Sequence, residues 1–388
     1  RGRRVAPALE GHGAWEHELA GRLVAAHGRD TLDPFALRAD KSFHFAAGGM
    51  LAYRVVGRTA VIAGDPIGPP GCANAVLASF AALAAERGWS LAATGASAAG
   101  AAAARACRLR ALEIGREAVV DPAAFTLEGR RVRKLRQSVA RVERAGWEIA
   151  TCDASALGDD LRRRLAEVEE RWRARQPRLV GYAMTLGRLW GAPEDDDALF
   201  VVARDPTGAP RAFLRFARHA HGLSLDAMRR GEVDEPNGLG EAMIVAALRR
   251  AAAEGLAEVS LNFAGFAHVM AVDAAALPPR RRALRWALRR VHGRFQLERL
   301  ARFNAKFLPV WRPRYLVYRG RRGLPLAALR VLQAEGYLRG PSSVPLPRRW
   351  EPDGRPADAA PAAPEAVEPA AAPPAIPAPA ALAGAPGA

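Results

Sequence analysis

Cysteine is scarce in this chain of 388 residues, and it follows no metal-binding pattern. The three cysteines, Cys72, Cys107 and Cys152, lie far apart in the sequence. The eight histidines are scattered, without an HExxH or other paired-ligand spacing. A sparse, odd cysteine count is typical of buried thiols in a reducing compartment rather than of a disulfide framework. The sequence therefore predicts no metal site.

Long apolar runs are missing as well. The longest weakly apolar run, Leu91–Cys107, is mostly Ala, Gly, Ser and Thr and is interrupted by Arg105. A membrane-spanning helix needs about 20 strongly apolar residues, which this run does not supply. No signal-peptide pattern is found either. The sequence thus predicts no transmembrane helix within the chain.

Motifs of covalent and nucleotide chemistry are also absent from the sequence. There is no G-x-S-x-G elbow and no Cys/His pair at a recognised spacing, which disfavours an acyl-enzyme mechanism. Gly238-Leu239-Gly240 is only a fragment of a pyrophosphate loop, and no lysine follows it at Walker spacing. The stretch between Arg230 and Gly240 is too long and acidic for an acetyl-CoA loop, so an N-acetyltransferase is the weakest of the enzymatic alternatives.

Positive charge is what the sequence has in excess. It contains 57 Lys and Arg against 40 Asp and Glu, a formal net charge of +17. Arginine greatly outnumbers lysine, as in proteins from GC-rich genomes, but such a bias does not explain the surplus of positive over negative charge. The surplus favours polyanionic partners, either nucleic acid or an anionic membrane surface.

Strand and helix patterns alternate along the chain, which predicts a mixed α/β fold. Among the predicted strands are Leu199–Arg204 and Glu258–Phe263. A helix is predicted at Ala14–His27, and two strands joined at Gly57-Arg58 precede a turn at Asp65-Pro66. The same order of elements restarts near Asp160, which predicts a duplicated fold packed as one unit. The predicted divisions are a helical linker, two α/β domains and a disordered Pro/Ala-rich tail, at residues 1–30, 31–150, 151–340 and 341–388.

Two strongly basic helices are predicted, at Leu127–Gly146 and Pro278–Arg294. In the first, an apolar face of Val132, Leu135, Val139 and Val142 predicts burial on one side. The other side is either a solvated surface or a phosphate-binding surface. The candidate anion-binding residues are Arg130, Arg131, Arg133, Lys134 and Arg136.

The segment Leu300–Tyr318 interleaves cations with large aromatic side chains. One interpretation is a clamp for a polyanion, in which arginine and lysine sit beside aromatic faces. The other interpretation is a core strand, PRYLVY, whose flanking arginines are merely solvated. These residues alone do not decide between the two.

A second polar stretch, Ser224–Glu241, combines a strand end, a Pro-Asn-Gly turn and a helix start. Two carboxylates, two guanidiniums and a helix amino terminus in one neighbourhood would orient a substrate and stabilise an oxyanion. The alternative is an ordinary strand–turn–helix junction, in which Asp226 and Arg229 form a structural ion pair and Glu241 balances the helix dipole.

Taken in order, these motifs resemble the cytosolic catalytic domain of the aminoacyl-phosphatidylglycerol synthases, the phosphatidylglycerol lysyltransferase family. The resemblance runs from about Asp40 to Tyr318 and rests on four stretches of sequence: ADKSFHF…AYRVVGRTAVIAGDPIG, IGREAVVDPAAFTLEGRRVRKLRQSVARVERAGW, LDAMRR…PNGLGEAMI and FQLERLARFNAKFLPVWRPRYLVY. It implies two tandem GNAT-like domains packed as one unit and related to the Fem-type transferases. It also implies an upstream multi-helix membrane domain, consistent with a chain that begins at Arg1.

The resemblance also implies the site residues. Its catalytic positions fall on Asp226, Arg229, Glu241 and Lys306, and its substrate-binding positions on Arg230, Asn237, Arg302 and Arg314. Many members have a lysine two positions before the Lys-Phe dipeptide, where this chain has Asn304.

The activity that the resemblance implies is transfer of lysine or alanine from aminoacyl-tRNA to the glycerol hydroxyl of phosphatidylglycerol, at the cytoplasmic face of the membrane. Exchange of one ester for another is close to thermoneutral and needs no cofactor, only alignment and oxyanion stabilisation. The expected partners are therefore aminoacyl-tRNA and anionic phospholipid. Two other possibilities stay open: a Fem-like enzyme with a non-lipid acceptor, and a tRNA- or membrane-binding module without activity.

Overall fold

A computed structural model describes residues 14–176, 180–231, 235–263, 294–320 and 322–339. The predicted tail at 341–388 and residues 278–293 of the second predicted basic helix lie outside the described residues.

The first half of the chain contains a helix, a three-stranded antiparallel meander and two further strands that alternate with helices. Their bounds are α1 Ala14–His27, β1 Ser42–Ala46, β2 Gly49–Val56, β3 Thr59–Ile67, α2 Cys72–Glu86, β4 Ser90–Ala96, α3 Ala98–Ala106 and β5 Arg110–Val120. A short 3-10 helix, Asp33–Leu37, lies between α1 and β1.

The second half repeats this order after one connecting helix and an edge strand. Its elements are α4 Arg133–Arg144, β6 Glu148–Asp153, α5 Asp159–Ala174, β7 Leu199–Arg204, β8 Pro210–His219, β9 Gly222–Arg230, α6 Leu239–Ala253, β10 Glu258–Phe263, α7 Arg294–Asn304, β11 Val310–Tyr318 and α8 Leu324–Ala334. The predicted bounds of α1, β7 and β10 agree with the structure to the residue.

All the strands of the described residues belong to one 11-stranded sheet, in the order β1-β2-β3-β4-β11-β5-β10-β9-β8-β7-β6. The last strand of each half is exchanged: β5 pairs with β10 of the second half, and β11 pairs with β4 of the first. The two exchanged strands also pair with each other, antiparallel, in the middle of the sheet. Each half therefore completes the sheet of the other.

The repeat extends to local backbone geometry. In both halves a meander leads through a helix to a parallel strand, as β3-α2-β4 and as β9-α6-β10. Gly95 near the end of β4 and Asn262 near the end of β10 both have a positive φ, 77° and 67°. The mixed α/β class and the two repeated halves packed as one unit are thus confirmed. The domain limits stay predictions; residue 150 lies within β6.

Apolar residues alternate along the strands, and helices cover both faces of the sheet. In β2, Met50 and Ala52 pack with α8, whereas Leu51 and Tyr53 pack with α2. In β7, Leu199 and its alternate neighbours pack with α4 and α6. A period of two is what a strand buried on both faces requires.

Two local predictions are wrong. The predicted turn at Asp65-Pro66 lies inside β3, because Gly64, at φ 70°, allows an irregularity in the pairing with β2 rather than a chain reversal. Helix α4 begins six residues later than predicted: residues before Arg133 form turns, where the carbonyl of Leu127 accepts a hydrogen bond from Arg136 at 2.6 Å. The burial of its apolar face is confirmed.

Candidate active site

The strands β9 and β10 pair in parallel over only part of their length. Gly222–Ser224 pairs with Glu258–Ser260, and beyond this the side chain of Asn262 bridges the two strands. Its amide donates to the carbonyl of Leu225 at 3.0 Å and to that of Met184 at 2.8 Å. Asparagine tolerates the left-handed backbone better than most residues. The backbone in the middle of β9 is thereby tied to a neighbouring loop.

The turn before α6 requires a glycine for two reasons. Gly238 has a φ of 105°, and a Cβ atom on it would lie 2.7 Å from the Cβ of Ser138 on α4. The carbonyl of the exposed Asn237 accepts a hydrogen bond from Arg141, also on α4, at 3.2 Å. The predicted Pro-Asn-Gly turn therefore brings α4 against the amino end of α6.

Glu241 and Lys306 meet at this amino end, although they are 65 residues apart in sequence. Lys306 Nζ lies 2.6 Å from Glu241 Oε1, and the side chains are 43% and 13% exposed, respectively. The ammonium also lies 5.4 Å from the ring centroid of Phe303, which packs beside Gly240. A carboxylate in the first turn is favoured by the helix dipole. Two of the predicted catalytic residues thus form an ion pair that is partly exposed to solvent.

Asp226 has other partners than the predicted ones. Its carboxylate accepts hydrogen bonds from the guanidinium of Arg215 and, at 2.7 Å, from the backbone N–H of Leu186. The Arg215 side chain is completely buried and also contacts Asp195 at 2.7 Å. The β8–β9 register shifts at this point, so that Arg215 lies opposite Ala227 and Phe216 opposite Leu225. Because of this irregularity, Asp226 has no residue directly opposite it on β8.

Arg229 does not form the structural ion pair with Asp226 that the alternative interpretation expected. It pairs instead with the buried Glu169 of α5, and its guanidinium stacks 3.8 Å from the ring centroid of Trp172. Arg230 has a third partner and pairs with Glu235 at 2.7 Å. The carboxylates and guanidiniums of this stretch are therefore distributed among several partners.

Arg314 lies in the middle of the sheet and is only 2% exposed. Its guanidinium donates to Glu117 at 2.9 Å, to Asp30 at 2.8 Å, to the hydroxyl of Thr31 at 2.7 Å and to the carbonyl of Gly95 at 3.2 Å. Burial lowers the pKa of Arg314, but the negative charges of the two carboxylates raise it by more. The pKa of Arg314 is therefore above its ordinary value. Arg314 therefore joins the exchanged strand β11 to β5 and to the chain before β1.

The remaining predicted substrate-binding residue, Arg302, is exposed on α7. Asn304, at the position where the resemblance led us to expect lysine, is buried and donates to the carbonyl of Leu261 on β10 at 3.4 Å. A lysine at that position would bring a charge into a buried location. Asn304 therefore anchors the end of α7 to the sheet.

Sequence reasoning missed the segment Tyr182–Trp190, called the strap below. Its N–H groups donate to buried carboxylates at two places, from Tyr182 to Glu335 and from Leu186 to Asp226, both at 2.7 Å. Its carbonyls accept from arginines, for example that of Leu189 from Arg215 at 3.0 Å. The strap has no periodic pattern, and its buried partners are distant in sequence, so no local signal could have identified it.

Five basic side chains lie at the start of α4 and in the turn before it. Arg130, Arg131, Arg133, Lys134 and Arg136 are all exposed. A solvated surface and a phosphate-binding surface are both compatible with this exposure. The three cysteines are free, and within the described ranges no cluster of His, Cys, Asp and Glu could hold a metal ion. No helix in that part of the chain is both long and apolar enough to cross a bilayer.

The chain is similar in sequence to proteins of known family. The chain is 36% identical over 327 residues to the lysylphosphatidylglycerol biosynthesis bifunctional protein LysX of Mycobacterium marinum, a match that covers 83% of this chain and 29% of that protein. The chain thus spans less than a third of the length of this curated relative.

Two solved structures have the same fold. The L-PGS structure from Bacillus licheniformis gives a TM-score of 0.68 at 22% identity and covers 82% of this chain and 95% of that one. The C-terminal domain of a putative lysylphosphatidylglycerol synthetase from Agrobacterium fabrum gives 0.68 at 24% identity and covers 84% and 99%. Residues 21–318 match the family described as phosphatidylglycerol lysyltransferase, C-terminal. The chain matches this family over most of its length and has the fold of both solved structures, so it belongs to the phosphatidylglycerol lysyltransferase C-terminal family.

Proposed function

We propose that this chain transfers an aminoacyl group, lysyl or alanyl, from aminoacyl-tRNA to the glycerol hydroxyl of phosphatidylglycerol. The observation that carries the proposal is the Glu241–Lys306 pair at the amino end of α6. Family membership supports the reaction class, and the net charge of +17 supports two polyanionic substrates. The transfer would replace an anionic lipid by one of lower negative charge.

The reaction exchanges one ester for another. The glycerol oxygen attacks the carbonyl carbon of the aminoacyl ester, and a new carbon–oxygen bond forms. The bond to the terminal ribose of the tRNA breaks, and the proton of the glycerol hydroxyl ends on the departing ribose oxygen. No redox step or net hydrolysis occurs, so the enzyme has to align the two oxygens and stabilise the oxyanion.

The ion pair has suitable chemistry for both tasks. Glu241 accepts the hydroxyl proton in this scheme, and Lys306 donates a hydrogen bond to the developing oxyanion. Because the Lys306 side chain is 43% exposed, its ammonium is accessible to a bound substrate. The positive end of the α6 dipole lies on the same side and favours the added negative charge.

Asp226 and Arg229 act as positioning residues in this proposal. Asp226 holds the strap through the N–H of Leu186, and Arg229 holds α5 through Glu169. Both elements pack against β8 and β9, which lead into the turn before α6. Asp226→Asn is expected to raise KM and lower stability, with a smaller effect on kcat than changes at Glu241. An equal loss of kcat without a change in KM would instead make Asp226 a catalytic residue.

The partners follow from the same proposal. Aminoacyl-tRNA and phosphatidylglycerol are the two substrates, and the chain works at the cytoplasmic face of the cell membrane. The exposed cations of α4 and the exposed Arg302 on α7 lie where phosphate groups can reach them. Binding that depends on them should weaken steeply with salt.

The test is transfer of labelled amino acid from individually charged lysyl- and alanyl-tRNA into chloroform-extractable lipid in phosphatidylglycerol vesicles. Glu241→Gln and Lys306→Ala should each lower kcat by roughly 100-fold or more, because each removes a group that acts in the transition state. Arg164→Ala is the matched control, since it breaks an exposed ion pair with Asp160 on α5.

Three outcomes would contradict the proposal. Label that appears only in the aqueous phase would indicate a non-lipid acceptor. Binding of tRNA and vesicles without turnover would indicate an inactive module. Full activity of Glu241→Gln would remove the ion pair from the mechanism.

A further inference from the structure

Residues 308–311 are a turn that runs into the first two residues of β11, called the loop below, and they present apolar side chains to solvent. Leu308 is 44% exposed, Val310 64% and Trp311 36%, whereas the adjoining Phe307 is completely buried. Val310 is the most exposed large apolar side chain in the described part of the chain. Exposed apolar residues that occur singly need no explanation, but a run of them indicates an interaction surface.

The backbone holds this loop in place. Leu308 has a φ of 54°, a conformation that leucine rarely adopts, and the ring of Pro309 fixes the φ of the next position. At the base of the loop, Val310 pairs with Val119 and Trp311 with Ala118 of β5. A loop that is already ordered loses little conformational entropy when it binds a partner.

The charges around the loop favour a lipid partner over RNA. Lys306 and Arg312 flank it, but each is already paired, with Glu241 and Glu258, both at 2.6 Å. Those two cations therefore add little attraction for phosphate. Arg299, an exposed arginine of α7, favours an anionic surface nearby. Leucine and valine offer nothing to a nucleic acid backbone, whereas tryptophan beside aliphatic side chains is typical of a membrane interface.

We propose that the loop of residues 308–311 docks this chain onto an anionic phospholipid bilayer by burying its apolar side chains at the level of the headgroups. The proposal rests on the proposed function for its purpose: Lys306 precedes the loop by two residues, so docking would bring the Glu241–Lys306 pair to the lipid surface.

The experiment compares vesicle binding by the wild-type chain and by the double variant Leu308→Asn/Val310→Thr. Asparagine suits the left-handed backbone, and threonine keeps the shape and β-branching of valine, so both changes spare the fold. Binding to phosphatidylglycerol–phosphatidylcholine vesicles should weaken by about ten-fold for the double variant. In 1 M NaCl, which screens charge beyond about 3 Å, the wild-type chain should keep part of its binding and the variant should lose it.

The matched control is Leu326→Gln/Leu329→Gln on α8, which removes similar exposed apolar surface elsewhere and should bind vesicles like the wild-type chain. Wild-type binding by the loop variant would overturn the proposal. Complete loss of wild-type binding in 1 M NaCl would overturn it as well, and so would a loss of tRNA binding in place of vesicle binding.

Transfer assays separate this proposal from the proposed function. With a monomeric short-chain phosphatidylglycerol as acceptor, the loop variant should transfer as fast as the wild-type chain, and with vesicles it should be slower. If the wild-type chain transfers to neither acceptor, the proposed activity fails, while the vesicle-binding result still decides the role of the loop.

Discussion

Replacement of Arg314 by leucine should destabilise the fold strongly. The guanidinium is the counter-charge of Glu117, whose side chain is 0% exposed, and it also contacts the partly exposed Asp30. Removing one member of a buried ion pair leaves an uncompensated charge and costs about 3–5 kcal/mol of the free energy of unfolding. The upper part of this range is expected, because the hydroxyl of Thr31 and the carbonyl of Gly95 are deprived of their donor as well.

The double variant Arg314→Leu/Glu117→Gln separates charge from packing. Glutamine keeps an acceptor for the hydroxyls of Thr31 and Ser260, which both contact Glu117 at 2.5 Å, but removes the unpaired charge. A coupling energy of about 2 kcal/mol between the two positions is expected from urea unfolding of the four proteins. Additive effects, or a destabilisation below about 1 kcal/mol for Arg314→Leu alone, would refute the argument that this ion pair is buried and essential.

Three further predictions concern the fold and its basic surface. Burial lowers the pKa of Lys41 to about 7, so between that value and its ordinary 10.5 the unfolded chain binds more protons. The stability of the wild-type chain relative to Lys41→Met should therefore rise by about 1.4 kcal/mol per pH unit above pH 7, and parallel urea-unfolding curves from pH 7 to 9 would contradict this. Gly238→Ala should cost roughly 2–4 kcal/mol and lower transfer activity, because the added Cβ meets α4 as well as a positive φ, whereas Gly208→Ala, with open space around it, should cost about 1 kcal/mol in the same measurement. Arg133→Ala/Lys134→Ala should lower the salt slope of tRNA or vesicle binding by about one for each phosphate that the variant no longer neutralises, and an unchanged slope would make these side chains merely solvated.

Local signals in the sequence were sufficient to locate several helices and strands and part of the site. Alternation and periodicity located α1, β7 and β10, and the Pro-Asn-Gly turn identified the start of α6. Glu241 and Lys306 were each assigned to the site by the resemblance, but their pairing was not predicted, because the two residues are 65 positions apart.

The rest depended on tertiary structure. Asp226 was expected near Arg229, but an irregular register in β9 turned it toward Arg215, a buried partner on the neighbouring strand. Arg314 was assigned to substrate binding by the resemblance, and nothing local predicts its burial on β11 in the middle of the sheet. Long-range pairing of this kind leaves no periodic trace in a single sequence.

The exchange of β5 and β11 between the halves also has a consequence for how the chain folds. During synthesis the first half emerges with a gap between β4 and β5, which only a strand ending at Tyr318 fills. Contacts so distant in sequence raise the contact order and slow folding, since a large loop has to close before the central pairs form. Until then β4 and β5 present unpaired edges, which are sites of aggregation or of pairing with a second chain. A fragment that ends before β11 should therefore fail to fold as an independent domain, although it contains every strand of the first half.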